Sequence, residues 1–199
     1  MVEPSSVVVK WPTQKELTAA FELYAVAVGR VAHAWNYLQE KFALLFVEVT
    51  GADRTLALAV WYSVSNDRTQ RGMLKAAINA GPQKKWESAH LSGVRSGLLW
   101  LLSEAETLGD ARNDAIHAPC SAITSVKGTE MGAAFNTGNP RARKLLGKQV
   151  IEELLWCEEF AQTLTRFAIS ADSALQNARF PLPDRPPRPN RGRKRNLPD

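Results

Sequence analysis

Residues 13–51 decide the fold and read TQKELTAAFELYAVAVGRVAHAWNYLQEKFALLFVEVTG. Thr13 and Glu16 have the spacing of a capping box, in which two side chains satisfy free backbone N–H groups at a helix start. Apolar residues then recur at alternating steps of four and three until Gly51: Leu17, Phe21, Tyr24, Val28, Val31, Trp35, Leu38, Phe42, Leu45 and Val49. Because this interval places them on one helix face, the stretch predicts a single long amphipathic helix.

The same interval recurs along the rest of the chain. It predicts four more helices, which begin after Asp53, after Ser65 or Asn66, near Trp86 and at Val150. Long helices with apolar seams of this period pack side by side at shallow angles. We therefore predict an all-α fold, an antiparallel up-and-down bundle of about five helices.

The apolar interval is lost between Pro119 and Gly147. Glycines separate two short pieces with β propensity, 122–124 and 133–135, so we expect a long loop or a small hairpin before the last helix.

The chain is predicted to have three parts, and charge distinguishes the last of them. We predict an N-terminal extension at 1–13, a helical domain at 14–178 and a basic tail at 179–199. The tail holds seven basic and two acidic residues, which is the whole net charge of +5, so the rest of the chain is neutral overall. Its prolines and arginines bury little surface, and we expect this tail to be disordered. The tail residues expected to contact nucleic-acid phosphates are Arg191, Arg193, Lys194 and Arg195.

Targeting and redox signals are few. The N-terminus lacks the basic and apolar pattern of a secretory signal, and no apolar run approaches the roughly 20 residues that span a bilayer. Cys120 and Cys157 have no metal-ligand spacing. We expect a cytoplasmic protein with reduced thiols, no membrane contact and no cofactor.

The cluster that suggests chemistry is Arg112-Asn113-Asp114-Ala-Ile-His117, late in the fourth helix and just before Pro119. Asn113 and His117 are four residues apart, so they share a helix face and the amide can orient the imidazole. An imidazole exchanges protons near neutral pH, and a guanidinium holds phosphate oxygens. Together these groups suit metal-independent attack of a ribose 2′-hydroxyl on its own phosphodiester.

At these residues the chain resembles HEPN-domain proteins, in which an arginine, a polar residue and a histidine lie late in a long bundle helix. Many members of that family are metal-independent ribonucleases of toxin, defence or RNA-processing systems. The resemblance implies that Arg112 binds phosphate, Asn113 orients and His117 is the acid-base residue. It also implies RNA as substrate, a homodimer whose subunits share a cleft, and an antitoxin or other protein as a further partner.

Three alternatives stay open. The domain could be a non-catalytic HEPN-like module that binds a nucleotide, RNA or a protein, or a structural bundle whose tail does the binding. A di-metal site is suggested by Glu87 and His90 together with Asp114 and His117. On one continuous helix, however, the two histidines would be about 40 Å apart and could not share a metal site.

Overall fold

The computed structural model describes residues 11–81, 86, 91–125, 128–134, 138–177 and 179–191. Within these ranges the chain forms helices and one hairpin. The elements are α1 (Gln14–Thr50), α2 (Arg54–Tyr62), α3 (Asp67–Ala80), α4 (Ser92–His117), β1 (Cys120–Ser125), β2 (Gly128–Ala133), α5 (Pro140–Lys144) and α6 (Val150–Gln176). The prediction of an all-α bundle is confirmed.

Helix α1 begins and ends where its sequence signals place it. The backbone N–H of Thr13 donates to Glu16 Oε2 at 2.7 Å, and the N–H of Glu16 donates to Thr13 Oγ1 at 3.3 Å, which completes the capping box. Gly51 closes the helix with φ of 62°, and its N–H bonds the carbonyl of Val47. A side chain is unfavourable in this left-handed conformation, so glycine is the suited residue.

Contacts between the helices give their directions. Arg30 pairs with Glu158, and Glu48 accepts a bond from Gln176, so α1 and α6 run parallel. Helix α3 runs antiparallel to α4, because Arg68 meets Asp110 while Arg95 meets Asn79.

Helix α4 also runs antiparallel to α6. Gly97, early in α4, faces Phe167, and Arg112, late in α4, lies near Cys157. Helix α4 is thus antiparallel to α3 and α6, whereas α1 packs in parallel with α6 and α3 runs in the same direction as α1, so the predicted antiparallel up-and-down arrangement is only partly met.

The core lies between α1, α4 and α6. Its fully buried side chains include Leu38, Phe42 and Leu45, which the apolar interval of α1 predicts, together with Leu98, Leu101, Leu108, Leu154 and Phe160. Trp61 of α2 extends the core, and its ring lies 5.4 Å from that of Phe46. Packing of these buried faces against each other therefore fixes the relative orientation of α4 and α6.

The segment between α4 and α6 contains the expected hairpin and an additional helix. Strands β1 and β2 are antiparallel, with Cys120 opposite Ala133 and Ser125 opposite Gly128. The second strand therefore begins at 128, before the predicted piece at 133–135, because pairing with β1 outweighs the weak β propensity of its first residues. Asn139 then caps the short α5 by accepting the N–H of Arg141 at 2.9 Å.

The C-terminal tail differs from the expectation of disorder over residues 179–191, which lie against α4 and α6. Arg188 pairs with Glu104, Arg191 pairs with Glu153, and the indole N–H of Trp156 donates to the carbonyl of Pro189. These partners belong to the helices, so the composition of the tail alone does not reveal them. Residues 192–199 lie outside the described residues.

Within the described ranges, no helix combines enough length and apolar character to cross a membrane.

A matched pair of phenylalanines in α1 tests the core. Phe42 is fully buried, whereas Phe21 on the same helix is 57% exposed. Phe42→Ala should lower the free energy of unfolding by about 3 to 5 kcal/mol, because it leaves a cavity among packed side chains. Phe21→Ala should change it by less than about 0.5 kcal/mol. Urea unfolding of both variants measures the difference, and equal effects would contradict the assigned core.

Candidate functional site

The indole of Trp35 on α1 organises the end of α4. Gly109 of α4 approaches it so closely that a Cβ on this glycine would lie 3.1 Å from Trp35 Cη2. The indole N–H donates to Asp67 Oδ2 at 2.9 Å. Two guanidinium carbons lie near the ring, that of Arg71 at 5.2 Å and that of Arg112 at 5.6 Å from its centroid. The ring therefore links α1, α3 and α4 at the level of the predicted motif.

Arg112 is half-buried and has neutral partners. Its Nη1 donates to Asn113 Oδ1 at 3.0 Å, and its Nε is buried without a hydrogen-bond partner. In the described part of the chain, no carboxylate forms an ion pair with Arg112, although seven other arginine or lysine side chains do pair with carboxylates: Arg30, Arg68, Arg71, Lys144, Lys148, Arg188 and Arg191. A partly buried cation without a counter-ion is costly. Arg112 therefore supplies a positive charge that the described residues leave uncompensated.

Arg71 differs from Arg112 because a carboxylate accompanies it. It is 7% exposed, and its Nη1 lies 3.7 Å from Asp67. Burial lowers the pKa of the Arg71 guanidinium below its usual range, while the charges of Asp67 and Glu106 act in the opposite direction. Arg71 is thus a structural cation of the Trp35 cluster.

Asn113 does not contact the imidazole as the helical spacing suggests. Its side chain accepts from Arg112, and its backbone carbonyl accepts from Arg141 Nη1 at 3.4 Å. The amide therefore orients the guanidinium. The structure shows no hydrogen bond between Asn113 and His117 among the described residues, and the orienting role of Asn113 toward His117 stays a prediction.

His117 is exposed in the last turn of α4. Among the described residues it has neither a hydrogen-bond partner nor an ion-pair partner. The helix ends there because Pro119 has no N–H to donate, and the N–H of Ala118 bonds the carbonyl of Asp114. An imidazole in this position is accessible to a ligand.

Helix α5 adds cations that the sequence analysis missed. Arg141, Arg143 and Lys144 are exposed on this helix, beside the end of α4. Lys144 Nζ pairs with Asp114 Oδ2 at 2.8 Å. The dipeptide Asn139-Pro140 has the pattern of an N-cap followed by a proline at the first helical position, which is the signal that could have revealed α5.

The aspartates in and next to the motif form ion pairs with cations of other helices. Asp114 binds Lys144, and Asp110 binds Arg68 at 2.8 Å. In the part of the chain that the structure describes, no group of three or more His, Cys, Asp or Glu side chains could hold a metal ion. Glu87 and His90 of the di-metal alternative lie outside the described residues.

A buried polar cluster lies beside Arg112, where α6 begins. Glu153, 4% exposed, pairs with Lys148 at 3.3 Å and with Arg191 at 2.5 Å. Burial, with the charge of Glu153, raises the pKa of the Cys157 thiol to about 12, against the opposing charges of Arg191, Arg112 and Lys148. A thiol with so high a pKa is protonated at neutral pH and is a poor nucleophile.

The predicted tail contacts are only partly in view. Arg191 is described, and its guanidinium is engaged with Glu153 and lies 4.5 Å from the ring centroid of Trp156. Arg193, Lys194 and Arg195 lie outside the described residues. Arg191 therefore holds the tail on the bundle in this arrangement and is not free to bind phosphate.

A cavity of about 630 Å³ opens elsewhere, between α1 and α6. Its lining includes Arg30, His33, Tyr37 and Glu158, but none of the motif residues. Arg30 and Glu158 neutralise each other at 2.9 Å. In this cavity the charge of Arg30 therefore has a counter-ion, unlike that of Arg112 at the end of α4. His33 of this cavity is an exposed histidine that is remote in sequence from the motif.

The geometry defines a class of protein: a helical bundle with an exposed histidine and an uncompensated arginine at one helix end. Comparisons of the chain with protein-family models, curated proteins and solved structures give no match.

The buried thiol gives this region a dependence of stability on pH. Burial raises the pKa of Cys157 to about 12 from a usual value of 9.0, so above about pH 9 the unfolded chain binds fewer protons than the folded one. The contribution of this group to stability is complete below about pH 9 and declines as the pH rises towards 12. Tyr24, whose pKa burial also raises to about 12, acts in the same direction from a usual value of 10.0.

Cys157→Ala should therefore reduce stability at pH 7, through lost packing, yet make the decline above about pH 9 shallower. Urea unfolding of the parent and the variant at a series of pH values between about 7 and 10.5 measures both effects. Parallel declines would contradict the assigned role of the thiol.

Proposed function

We propose that the chain is a metal-independent endoribonuclease of the HEPN type, with its site at the end of α4. The observation that carries the proposal is the pairing on one helix end of two features, the exposed His117 and the charge of Arg112, whose partners are neutral. The exposed cations of α5 lie beside them and favour a polyanionic substrate.

The proposed reaction begins with His117, which accepts the proton of a ribose 2′-hydroxyl. The 2′-oxygen forms a bond to the adjacent phosphorus, and the bond from phosphorus to the 5′-oxygen breaks. An imidazolium protonates the leaving 5′-oxygen, and Arg112 stabilises negative charge on the phosphorane. The products are a 2′,3′-cyclic phosphate and a 5′-hydroxyl.

A homodimer would complete this site. One chain supplies one His117, whereas the reaction uses a base and an acid on opposite sides of the phosphorus. His117 of the partner subunit would act as the acid if two α4 ends face each other across the RNA. Since His117 lies at the surface, a second subunit can approach it without unfolding either chain.

A second candidate function is a non-catalytic module that binds RNA, a nucleotide or a protein at the same surface. It is favoured by the position of Arg112, whose Nε is buried and whose Nη1 is held by Asn113. A guanidinium restrained in this way contributes a fixed charge to binding whether or not a bond is broken. Measuring cleavage and binding separately distinguishes the two candidates.

The catalytic proposal predicts RNA cleavage by the full chain in the presence of EDTA, with 2′,3′-cyclic phosphate ends. His117→Ala and Arg112→Ala should each reduce the cleavage rate by at least about 100-fold, the range typical for loss of an acid-base group and of a group that stabilises transition-state charge, respectively. His33→Ala is the matched control and should cleave like the parent, since His33 lines the separate cavity between α1 and α6.

Gel analysis of a labelled RNA follows the products, and circular dichroism verifies that each variant is folded. Full cleavage by the His117→Ala variant, or cleavage that EDTA abolishes, would refute the proposed mechanism. RNA binding without cleavage by the parent chain would favour the binding module.

The cations of α5 should bind the RNA backbone whether or not cleavage occurs. In a His117→Ala chain, Arg141→Ala should weaken RNA binding several-fold and reduce its dependence on salt, because one phosphate contact is lost. Arg54→Ala is the control, since Arg54 is exposed on α2, which follows the opposite end of α1. Fluorescence anisotropy at two salt concentrations measures both variants, and equal effects would assign the binding to overall charge.

A further inference from the structure

The C-terminal segment has a regular pattern that the proposed function does not use. Residues 181–191 contain five prolines, at 181, 183, 186, 187 and 189, which favour an extended polyproline II conformation. Arg185, Arg188 and Arg191 follow one another at intervals of three. In a polyproline II helix, which has three residues per turn and a rise of about 3.1 Å per residue, residues at this interval share one edge and are about 9 Å apart.

The surface beneath this segment presents a matching series of groups. It is the groove between α4 and α6, which we call the tail groove, and Trp100, Glu104, Glu153 and Trp156 line it. The first two are one turn apart on α4, and the others lie three residues apart on α6. Aromatic rings and carboxylates are the groups that bind guanidinium best.

Each of the three arginines meets one of these groups. The Arg185 guanidinium lies 6.0 Å from the Trp100 ring centroid. Arg188 makes two bonds to the Glu104 carboxylate, one of them from Nη2 to Oε1 at 3.0 Å. Arg191 binds both oxygens of the Glu153 carboxylate, at 3.1 and 2.9 Å from Nε.

The tail groove also recognises the backbone and an apolar side chain. The indole N–H of Trp156 donates to the carbonyl of Pro189 at 3.0 Å. Leu182 fills the space left by Gly97, where a Cβ would lie 2.7 Å from Leu182 Cδ2. The segment is therefore held along its length by a leucine, a backbone carbonyl and three arginines.

The carboxylates of the tail groove require cations. Glu104 is 8% exposed and Glu153 is 4% exposed. These are the exposures of the occupied groove, and a carboxylate that is covered in this way needs a cationic partner, so an occupant of the groove must supply one. Glu153 also pairs with Lys148, which does not belong to the segment. Of the two carboxylates, Glu104 therefore depends more on the cation that the segment supplies.

We propose that the tail groove is a peptide-recognition site for polyproline II segments that carry an arginine at every third residue. The chain's own segment, residues 179–191, occupies the site intramolecularly, and a free peptide with the same sequence competes with it for the site. The contacts involve only side chains and one carbonyl of the segment, so they do not require that it belong to the same chain. The proposal is independent of the ribonuclease proposal.

The experiment uses the full chain with Arg188→Glu and Arg191→Glu, which repel the groove carboxylates and release the segment. A fluorescein-labelled peptide with the sequence of residues 179–191 is titrated, and anisotropy reports binding. The peptide should bind this variant at least about tenfold more tightly than it binds the parent, because the attached segment competes at a high effective concentration. A control peptide with glutamine in place of both arginines should bind the variant at least about tenfold more weakly.

Three results would overturn the proposal: no binding of the peptide to the released variant, equal binding of the glutamine peptide, or a parent dimer that the peptide converts to monomer. The last result would identify the segment of a second copy as the natural occupant. If circular dichroism shows that the Glu variant is unfolded, the milder Arg188→Gln and Arg191→Gln chain takes its place, with the same expected order of affinities.

Discussion

The contact between the indole of Trp35 and Gly109 is the constraint on which the end of α4 depends. Because Gly109 has no side chain, α4 approaches α1 closely enough for the ring to lie against its backbone. This contact fixes the axial position of α4 relative to α1, and α4 ends at His117, two residues before Pro119. The guanidiniums of Arg71 and Arg112 both lie near this ring. One aromatic side chain therefore fixes the register of two helices and holds a positive charge in the last turns of α4, five residues before the exposed His117.

The sequence predicts the parts of this structure that depend on local periodicity. The capping box and Gly51 define α1, and the seams predict the remaining long helices, because burial of one face follows directly from the helical repeat. Helical periodicity does not predict the partners of the Arg112 side chain. Helical spacing alone favours a contact between Asn113 and His117, but a half-buried guanidinium needs an acceptor more than an exposed imidazole does, and Asn113 binds the arginine.

Composition likewise does not predict that the C-terminal segment lies against the helices. A proline- and arginine-rich stretch buries little surface of its own, which predicts disorder when the segment is considered alone. The order of residues 179–191 depends on Glu104 and Glu153, which lie next to seam positions of α4 and α6 and are buried there. Carboxylates at such positions need cations, and the sequence does not reveal which cations reach them, because Arg188 is 84 residues from its partner.

The two arginine sites are connected through the start of α6. Arg112 and Arg191 both act electrostatically on the buried thiol of Cys157, as does the Glu153 carboxylate, so all three lie in one neighbourhood. Glu153 is already bound by Arg191 and Lys148, which leaves Arg112 with an amide oxygen and an aromatic ring as partners. Docking of the tail thus supplies a cation to the buried Glu153 carboxylate in this neighbourhood. Among the described residues Arg191 has a carboxylate partner and Arg112 has neutral ones, so the tail and the end of α4 are parts of one electrostatic arrangement around Cys157.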